Sequence, residues 1–239
     1  MADPTFLAII PARGGSKRLL RKNVKELSGK PLITWTIEAG LESSYIDTVM
    51  VSTDDNEIAD ISAESGAEVP FIRPSSLSTD VSSSVDVIRH AIEFYEKCEK
   101  KFDYIVLLQP TSPLRNANHI TEAIELLIMK KADAVISVCG VEHSPLWSNT
   151  LPASGSLASF IKDDVKDVRS QDLDTYYRLN GAIYIVRASK FLELNTLFLK
   201  DNIYAYKMES SDSVDIDNLN DFTYAEFLMA LKNPNSPSG

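Results

Sequence analysis

Short apolar runs alternate with longer amphipathic segments along most of the chain. Apolar runs too short for a helix are typical of buried strands, and they predict strands at residues 6–10, 48–53, 68–72, 104–109, 134–139, 182–186 and 203–208. Apolar residues at helical spacing predict helices over residues 30–39, from an Asp54 cap to Gly66, and over residues 84–100, 116–130 and 221–231. The alternation predicts an α/β fold with a mostly parallel central sheet covered by helices on both faces.

The regular alternation stops after residue 141. Residues 142–182 have no clear periodicity, and we interpret them as an excursion from the core that serves as a dimerisation or lid element. A typical domain has about 150 residues, so this chain of 239 is expected to form a single domain over residues 1–232. Residues 233–239 are rich in Pro, Ser and Asn and are predicted to be a disordered tail.

A long loop follows the first predicted strand, at the sheet edge where α/β proteins bind ligands. Residues 11–29 lack periodicity, and such long loops in compact domains are usually functional. The adjacent Gly14 and Gly15 let backbone N–H groups approach an anion, and Arg13 and Lys17 supply positive charge. The glycine spacing fits neither a Walker A loop nor the dinucleotide fingerprint. We favour a phosphate-binding loop, with a solvated basic loop as the alternative.

The charge of the chain sharpens this picture. It carries 24 Lys and Arg against 34 Asp and Glu, a net charge of −10. Residues 13–30 are the exception, with the single acid Glu26 and seven cations: Arg13, Lys17, Arg18, Arg21, Lys22, Lys25 and Lys30. That segment is +6 and the rest of the chain −16. A chain with this negative charge is not expected to bind nucleic acid or a membrane surface. The basic segment instead indicates a local binding site for an anion such as phosphate.

Other classes of protein are excluded by simple features. The two cysteines, Cys98 and Cys139, provide neither a zinc-site spacing nor a disulfide framework. No apolar run approaches the roughly 20 residues needed to span a bilayer, and the N-terminus lacks a secretory pattern. A cytoplasmic location is therefore expected.

A pair of carboxylates lies near the C-terminus. In an extended segment, Asp215 and Asp217 project on the same side because the side-chain period of a strand is two. Two carboxylates on one side suit a hard cation such as Mg²⁺, which phosphate chemistry commonly uses. The alternative is that Asp217 is only the N-cap of the following helix.

Gln109 is a large amide at the carboxyl end of the most apolar strand, where it can contact a base or a polar substrate. Residues 73–84, 169–172 and 178–184 fall in similar positions, although each alone is better explained as a surface loop. No local Ser or Cys nucleophile motif is visible, which favours direct group transfer over covalent catalysis.

Taken together, these segments resemble the CMP-sialic acid synthetase family, the cytidylyltransferases that activate nine-carbon nonulosonic acids. The resemblance runs from Ile9 to the helix after Asp217 and rests on the motifs IIPARGGSKRLLRKN, VSTD, RPSSLSTD, QPTSPLR, NGAIYI and DIDN. It implies a Rossmann-like three-layer α/β fold with a projecting dimerisation element, and a homodimer. The implied reaction is CTP plus nonulosonate giving CMP-nonulosonate plus pyrophosphate, by direct attack of the C2 hydroxyl on the α-phosphate.

The resemblance also implies roles for individual residues. The CTP phosphates would be held by Arg13, Gly14, Gly15, Ser16, Lys17 and Lys22, and the cytosine or its surroundings by Asn23, Arg73 and Ser84. Mg²⁺ would be held by Asp215 and Asp217, one of which could help to deprotonate the hydroxyl. Gln109 and Arg169 would bind the sugar acid, and the Arg169 guanidinium would bind the carboxylate of that acid. Tyr184 and Phe198 would line the sugar pocket of the partner subunit. Arg13, Lys22 and Asp215 are the expected catalytic residues.

One departure from the family leaves the acceptor open. Family members that use N-acetylneuraminate can carry a Lys in the segment that corresponds to residues 142–147, where this chain has Trp147. Legionaminic or another modified acid is therefore an alternative to N-acetylneuraminic acid. The competing functions are a cytidylyltransferase for the eight-carbon acid KDO, a sugar-1-phosphate nucleotidyltransferase, and a non-catalytic nucleotide-binding module.

Overall fold

The computed structural model describes residues 3–79 and 82–232. The strands in these residues are β1 (Phe6–Pro11), β2 (Glu26–Leu27), β3 (Lys30–Pro31), β4 (Thr48–Ser52), β5 (Tyr104–Leu107), β6 (Ala134–Gly140), β7 (Tyr177–Arg187) and β8 (Ile203–Met208). The helices are α1 (Leu32–Leu41), α2 (Asn56–Glu64), α3 (Ser84–Lys97), α4 (Ala117–Lys130), α5 (Ala188–Leu194) and α6 (Leu219–Lys232). The predicted tail, residues 233–239, lies outside the described residues.

One central sheet organises the molecule, with strand order β4-β1-β5-β7-β6-β8. β1 pairs in parallel with β4 and β5, and β6 pairs in parallel with β8. β7 runs antiparallel to both of its neighbours, β5 and β6. The predicted α/β class with a mostly parallel sheet is confirmed, with β7 as the exception.

Helices cover both faces of the sheet because alternate strand residues point to opposite sides. Ala8 and Ile10 of β1 belong to a buried cluster with residues of α1, α2 and α4, such as Ile37. Leu7 and Ile9 belong to a second cluster, with residues of α3 and α5 such as Phe191. These two apolar layers make the sheet a rigid support for the loops at its edges.

A third apolar cluster fixes the C-terminal part of the chain. Val214 and Ile216 are buried there with Leu27 of the β2–β3 hairpin and Phe222 of α6. Because Val214 and Ile216 point into this cluster, the intervening Asp215 and the following Asp217 are directed away from it. The apolar residues of the segment therefore orient its carboxylates.

Several predicted elements differ from the observed ones. Residues 68–72 make only two isolated bridges instead of a strand, one to Met50 of β4 and one to Thr53 just after it, since Pro70 lacks a backbone donor. The helix predicted from residue 30 begins at Leu32, because Lys30 and Pro31 pair with β2. That helix continues through Gly40, which packs closely against Val49. The Asp54 cap is also wrong, because Asp55 is the N-cap of α2 and accepts from the Ile58 N–H.

The excursion is mostly exposed and irregular. Residues 142–176 contain only short 3-10 turns, at Pro145–Trp147 and Ser170–Asp172. Residues 177–182, included in the predicted excursion, belong to β7. Among the described residues, none of the helices is long and apolar enough to cross a membrane.

Candidate active site

A cleft opens at the carboxyl ends of β1, β4 and β5. It consists of two adjoining pockets of about 350 and 400 Å³, which share Pro11, Arg13, Pro110, Thr111 and Asp217. Residues predicted to bind substrate or metal line this cleft from loops far apart in sequence: Arg13, Ser16, Lys17, Lys22, Asn23, Arg73, Ser84, Gln109, Asp215 and Asp217. The cleft thus brings together both the basic loop and the carboxylate pair.

The segment that carries the carboxylates is held in place from two sides. Val214 and Ile216 are buried, and the Ile216 N–H donates to the Thr111 carbonyl at 2.8 Å. Burial raises the pKa of the Asp215 carboxyl above its ordinary value, and the Asp217 carboxylate adds to this, while a hydrogen bond with Thr111 opposes it. Thr111 was not among the predicted site residues, although its position two residues after Gln109 was a usable signal.

Asp217 does not cap the following helix. The Asn218 side chain accepts from the N–H groups of Asn220 and Asp221, at 2.8 and 3.2 Å, and so makes the cap. The Asp217 carboxylate instead contacts Arg18 at 2.5 Å and Lys22 at 3.7 Å. The purely structural interpretation of Asp217 is therefore wrong, and its carboxylate lies in the cleft.

Lys22 links the basic loop to the carboxylate segment. Its ammonium donates to the Ile216 carbonyl at 2.6 Å and lies near Asp217. Burial lowers the pKa of Lys22, against the attraction of the Asp217 and Asp215 carboxylates. Asn23, which is buried, donates to the Arg13 carbonyl at 3.0 Å. The 3-10 turn Lys22–Val24 thus ties the basic loop to the carboxylate segment on one side and to Arg13 on the other.

Only part of the basic segment faces the cleft. Arg13, Lys17, Arg18 and Lys22 line it. Arg21 pairs with Asp55 and Glu57 on α2 instead. The Lys25 ammonium lies over the Phe222 ring at 5.2 Å, and Lys30 pairs with Glu38 and lies over Trp35. The charge of +6 counted in the sequence is therefore larger than the charge presented to a ligand.

Close packing explains the first glycine of the loop. The Gly14 N–H donates to Asp54 at 3.1 Å, and the Ser16 N–H donates to the Gly14 carbonyl at 3.0 Å. A Cβ on Gly14 would lie 2.5 Å from Asp55 Oδ2 and 2.9 Å from its Cβ, whereas a Cβ on Gly15 would have no neighbour within 4 Å. Gly14 is thus required for packing against the β4–α2 turn.

We expect Gly14→Ala to lower the free energy of unfolding by about 1–3 kcal/mol, because the added methyl group must displace Asp55 or the loop. Gly15→Ala is the matched control, and its effect on stability should stay below about 0.5 kcal/mol. Urea unfolding of both variants measures the difference. Equal stability of the two variants would contradict the packing argument.

Arg73 and Ser84 form the far wall of the first pocket. The Arg73 backbone N–H donates to the Thr53 carbonyl at 2.7 Å, and its Nε donates to Ser78 at 3.1 Å. Ser84 begins α3, whose N-cap is the preceding Ser83. These contacts set two polar side chains opposite the basic loop.

Gln109 and Tyr184 lie where β5 and β7 meet. Gly181 has a φ of +76°, and a Cβ there would lie 2.7 Å from the Gln109 amide oxygen, so only glycine leaves room for this side chain. Burial raises the pKa of the Tyr184 hydroxyl, and the Asp215 carboxylate of the same chain adds to it. Tyr184 also contacts the Phe198 ring, with centroids 6.3 Å apart. The Tyr184 hydroxyl is thus under the electrostatic influence of Asp215.

The structure does not bring every predicted residue into the cleft. Neither pocket is lined by Gly14, Gly15, Arg169, Tyr184 or Phe198. Arg169 lies on the excursion, where it is largely exposed and pairs with Asp172 at 2.8 Å. Trp147 also lies on the excursion, in a 3-10 turn.

The carboxylate pair fits a cation that takes its remaining ligands from a phosphate. Within residues 3–79 and 82–232, no group of three or more His, Cys, Asp or Glu side chains could hold a metal ion. Mg²⁺ commonly binds through one or two carboxylates and completes its coordination with water and substrate phosphates. Asp215 and Asp217 provide that partial set of oxygen ligands next to the cations of the loop.

Comparison with known proteins places these features in context. A family profile described as cytidylyltransferase matches residues 7–233. CMP-N,N'-diacetyllegionaminic acid synthase of Legionella pneumophila is 37% identical over 232 residues, which cover 95% of this chain and 97% of that protein. Pseudaminic acid cytidylyltransferase of Campylobacter jejuni is 34% identical over 222 residues, 93% of this chain and 95% of that protein. N-acylneuraminate cytidylyltransferase of Streptococcus agalactiae is 39% identical over 91% of this chain but 52% of its own length.

Solved structures agree on the fold. A structure of CMP:2-keto-3-deoxy-manno-octonic acid synthetase superposes with a TM-score of 0.70 at 17% identity, covering 95% of this chain and 99% of that one. The 4-diphosphocytidyl-2C-methyl-D-erythritol synthase of Anaerococcus prevotii gives 0.62 at 14% identity, covering 95% and 96%. At these identities the similarity concerns the fold alone, which is the expected Rossmann-like α/β arrangement.

Proposed function

The chain belongs to the cytidylyltransferase family, and from this premise we propose that it transfers the cytidylyl group of CTP to a nonulosonic acid and releases pyrophosphate. The observation that carries the proposal is the single cleft in which four cations of the basic loop face the carboxylate pair. Two relatives that match over nearly their full length are named for legionaminic and pseudaminic acid, which supports an acceptor of this class.

The chemistry of the cleft suits attack on a triphosphate. The C2 hydroxyl oxygen of the acid forms a bond to the α-phosphorus. The bond between the α-phosphorus and the oxygen that bridges the α- and β-phosphates breaks, and pyrophosphate leaves with the electron pair. Arg13, Lys17 and Lys22 would offset the charge on the phosphates and the leaving group. Asp215 and Asp217 would hold Mg²⁺, which supplies further charge neutralisation when bound.

The acceptor would bind beside Gln109. Asp215 lines only the pocket that contains Gln109, whereas Asp217 reaches both pockets. Asp215 is therefore the carboxylate that we propose to receive the proton of the attacking hydroxyl. Asn23, Arg73 and Ser84 would contact the cytosine or its surroundings, with Gly14, Gly15 and Ser16 around the phosphates.

We further propose a homodimer in which the excursion reaches the partner. The Arg169 guanidinium suits the carboxylate of a sugar acid but lies outside its own cleft, so it would act in a second copy. Leu151, Leu157, Tyr177 and Leu179 are exposed apolar residues on or next to the excursion, which supports a covered surface there. Tyr184 and Phe198, predicted to serve the partner's pocket, contact each other with ring centroids 6.3 Å apart, and their place in a sugar pocket stays a prediction.

A pyrophosphate-release assay tests the function. Purified protein with CTP and Mg²⁺ is given N-acetylneuraminate, legionaminate, pseudaminate, KDO and a sugar 1-phosphate in separate reactions. We expect release with at least one nonulosonic acid and none with the sugar 1-phosphate. Release only with KDO or the sugar 1-phosphate would assign the competing enzyme class. Absence of release with every acceptor, while CTP still binds, would support the non-catalytic module.

A further inference from the structure

Asp54 connects two parts of the cleft that are distant in sequence. β1 and β4 are paired neighbours, with Pro11 opposite Ser52, so the loops that follow them leave the sheet side by side. The Asp54 carboxylate accepts from the Gly14 N–H at 3.1 Å. The same oxygen, Oδ1, lies 3.5 Å from the Arg73 guanidinium. One carboxylate oxygen therefore contacts both the glycine turn and the Arg73 guanidinium.

The Arg73 side chain depends on that carboxylate for its charge balance. It is only 4% exposed, and a buried guanidinium is costly unless an acid compensates it. Burial and the positive charge of Arg13 lower the pKa of Arg73, whereas the Asp54 carboxylate raises it. Asp54 is thus the acid that compensates the buried Arg73 guanidinium.

The helix cap does not account for Asp54, because its neighbour performs that task. Asp55 accepts from the Ile58 N–H at 3.1 Å and also holds Arg21. The two adjacent acids have separate roles: Asp55 fixes the start of α2, and Asp54 faces the cleft. Within the residues that the structure describes, the Asp54 carboxylate contacts Gly14 and Arg73, which we assign to nucleotide binding.

We propose that Asp54 is a positioning residue that sets the Gly14–Gly15 turn and the Arg73 guanidinium for the nucleotide. It governs the affinity for CTP rather than the rate of cytidylyl transfer, because it touches neither the carboxylate pair nor Gln109 among its described contacts. The inference rests on the proposed function for the identity of the nucleotide.

Two substitutions separate the contacts of Asp54. Asp54→Asn keeps an oxygen that can accept from Gly14 but loses the charge that faces Arg73, whereas Asp54→Ala loses both. We expect the KM for CTP to rise about tenfold in Asp54→Asn and further in Asp54→Ala, with kcat within about threefold of wild type. The KM for the acceptor should not change. Asp60→Asn, an exposed acid on α2, is the matched control.

Thermal unfolding with and without CTP provides a readout independent of turnover. The stabilisation by CTP should shrink in Asp54→Asn, while Asp60→Asn keeps the wild-type response. Should Asp54→Ala fail to fold, Asp54→Asn decides the matter. An unchanged KM and CTP response in Asp54→Asn, or a fall in kcat alone, would overturn the proposal. Wild-type protein that binds CTP without releasing pyrophosphate would instead count against the proposed function, and the unfolding measurement would still test Asp54.

Discussion

Asp215→Asn is expected to lower kcat by about 10²–10³-fold while CTP still binds. The amide keeps the shape of the side chain but cannot carry the negative charge needed to hold Mg²⁺ or to receive the proton of the acceptor hydroxyl. CTP binding should persist because Lys17 and Lys22 line the adjoining pocket, which Asp215 does not reach. Single-turnover pyrophosphate release measures the rate, and isothermal titration measures CTP binding.

Asp60→Asn serves again as the control for loss of one acidic charge, since that residue is exposed on α2. A rate within a factor of about 3 of wild type, roughly 0.65 kcal/mol of barrier, would rule out the assigned role of Asp215. Loss of CTP binding together with turnover would place Asp215 in nucleotide binding instead.

Lys22→Met is expected to lower kcat/KM for CTP by about 10²-fold. The substitution removes the half-buried cation that contacts both the Ile216 carbonyl and Asp217, so the phosphates lose a compensating charge inside the cleft. Steady-state kinetics with varied CTP measures the effect. Lys25→Met is the matched control, because Lys25 belongs to the same segment but lies over the Phe222 ring outside the cleft. Equal losses in both variants would show that net charge, and not position, matters.

The periodicity of the sequence predicts most of the fold. Apolar runs such as that of β1 are buried on both faces, so they are recognisable without knowledge of their neighbours. The strand predicted at residues 68–72 is wrong because the apolar pattern does not take into account that Pro70 interrupts backbone pairing. The first half of β7 also escapes prediction, since Tyr177 and Leu179 remain exposed in a strand that leaves the core.

The candidate site is predictable where local pattern dictates direction. The alternation of Val214 and Ile216 with Asp215 and Asp217 is enough to place both carboxylates on one side. The direction in which a side chain points cannot be derived from composition, however. A count of charges does not show that the Arg21 side chain points towards the start of α2. Contacts between strands distant in sequence are also hidden: Tyr184 lies beside Leu107 of β5 only because β7 inserts between β5 and β6.

The contacts of Asp217 have a consequence for how ligands enter. Arg18 and Lys22 are the counterions of this carboxylate. On the proposed function, binding of a triphosphate would be an ion exchange: the two cations would transfer to phosphate oxygens, and the Asp217 carboxylate would become available to a metal ion. A free divalent cation must compete with two tethered positive charges, whereas one that arrives with the nucleotide does not. The ion pairs of Asp217 would therefore favour a metal ion that enters the cleft together with the nucleotide.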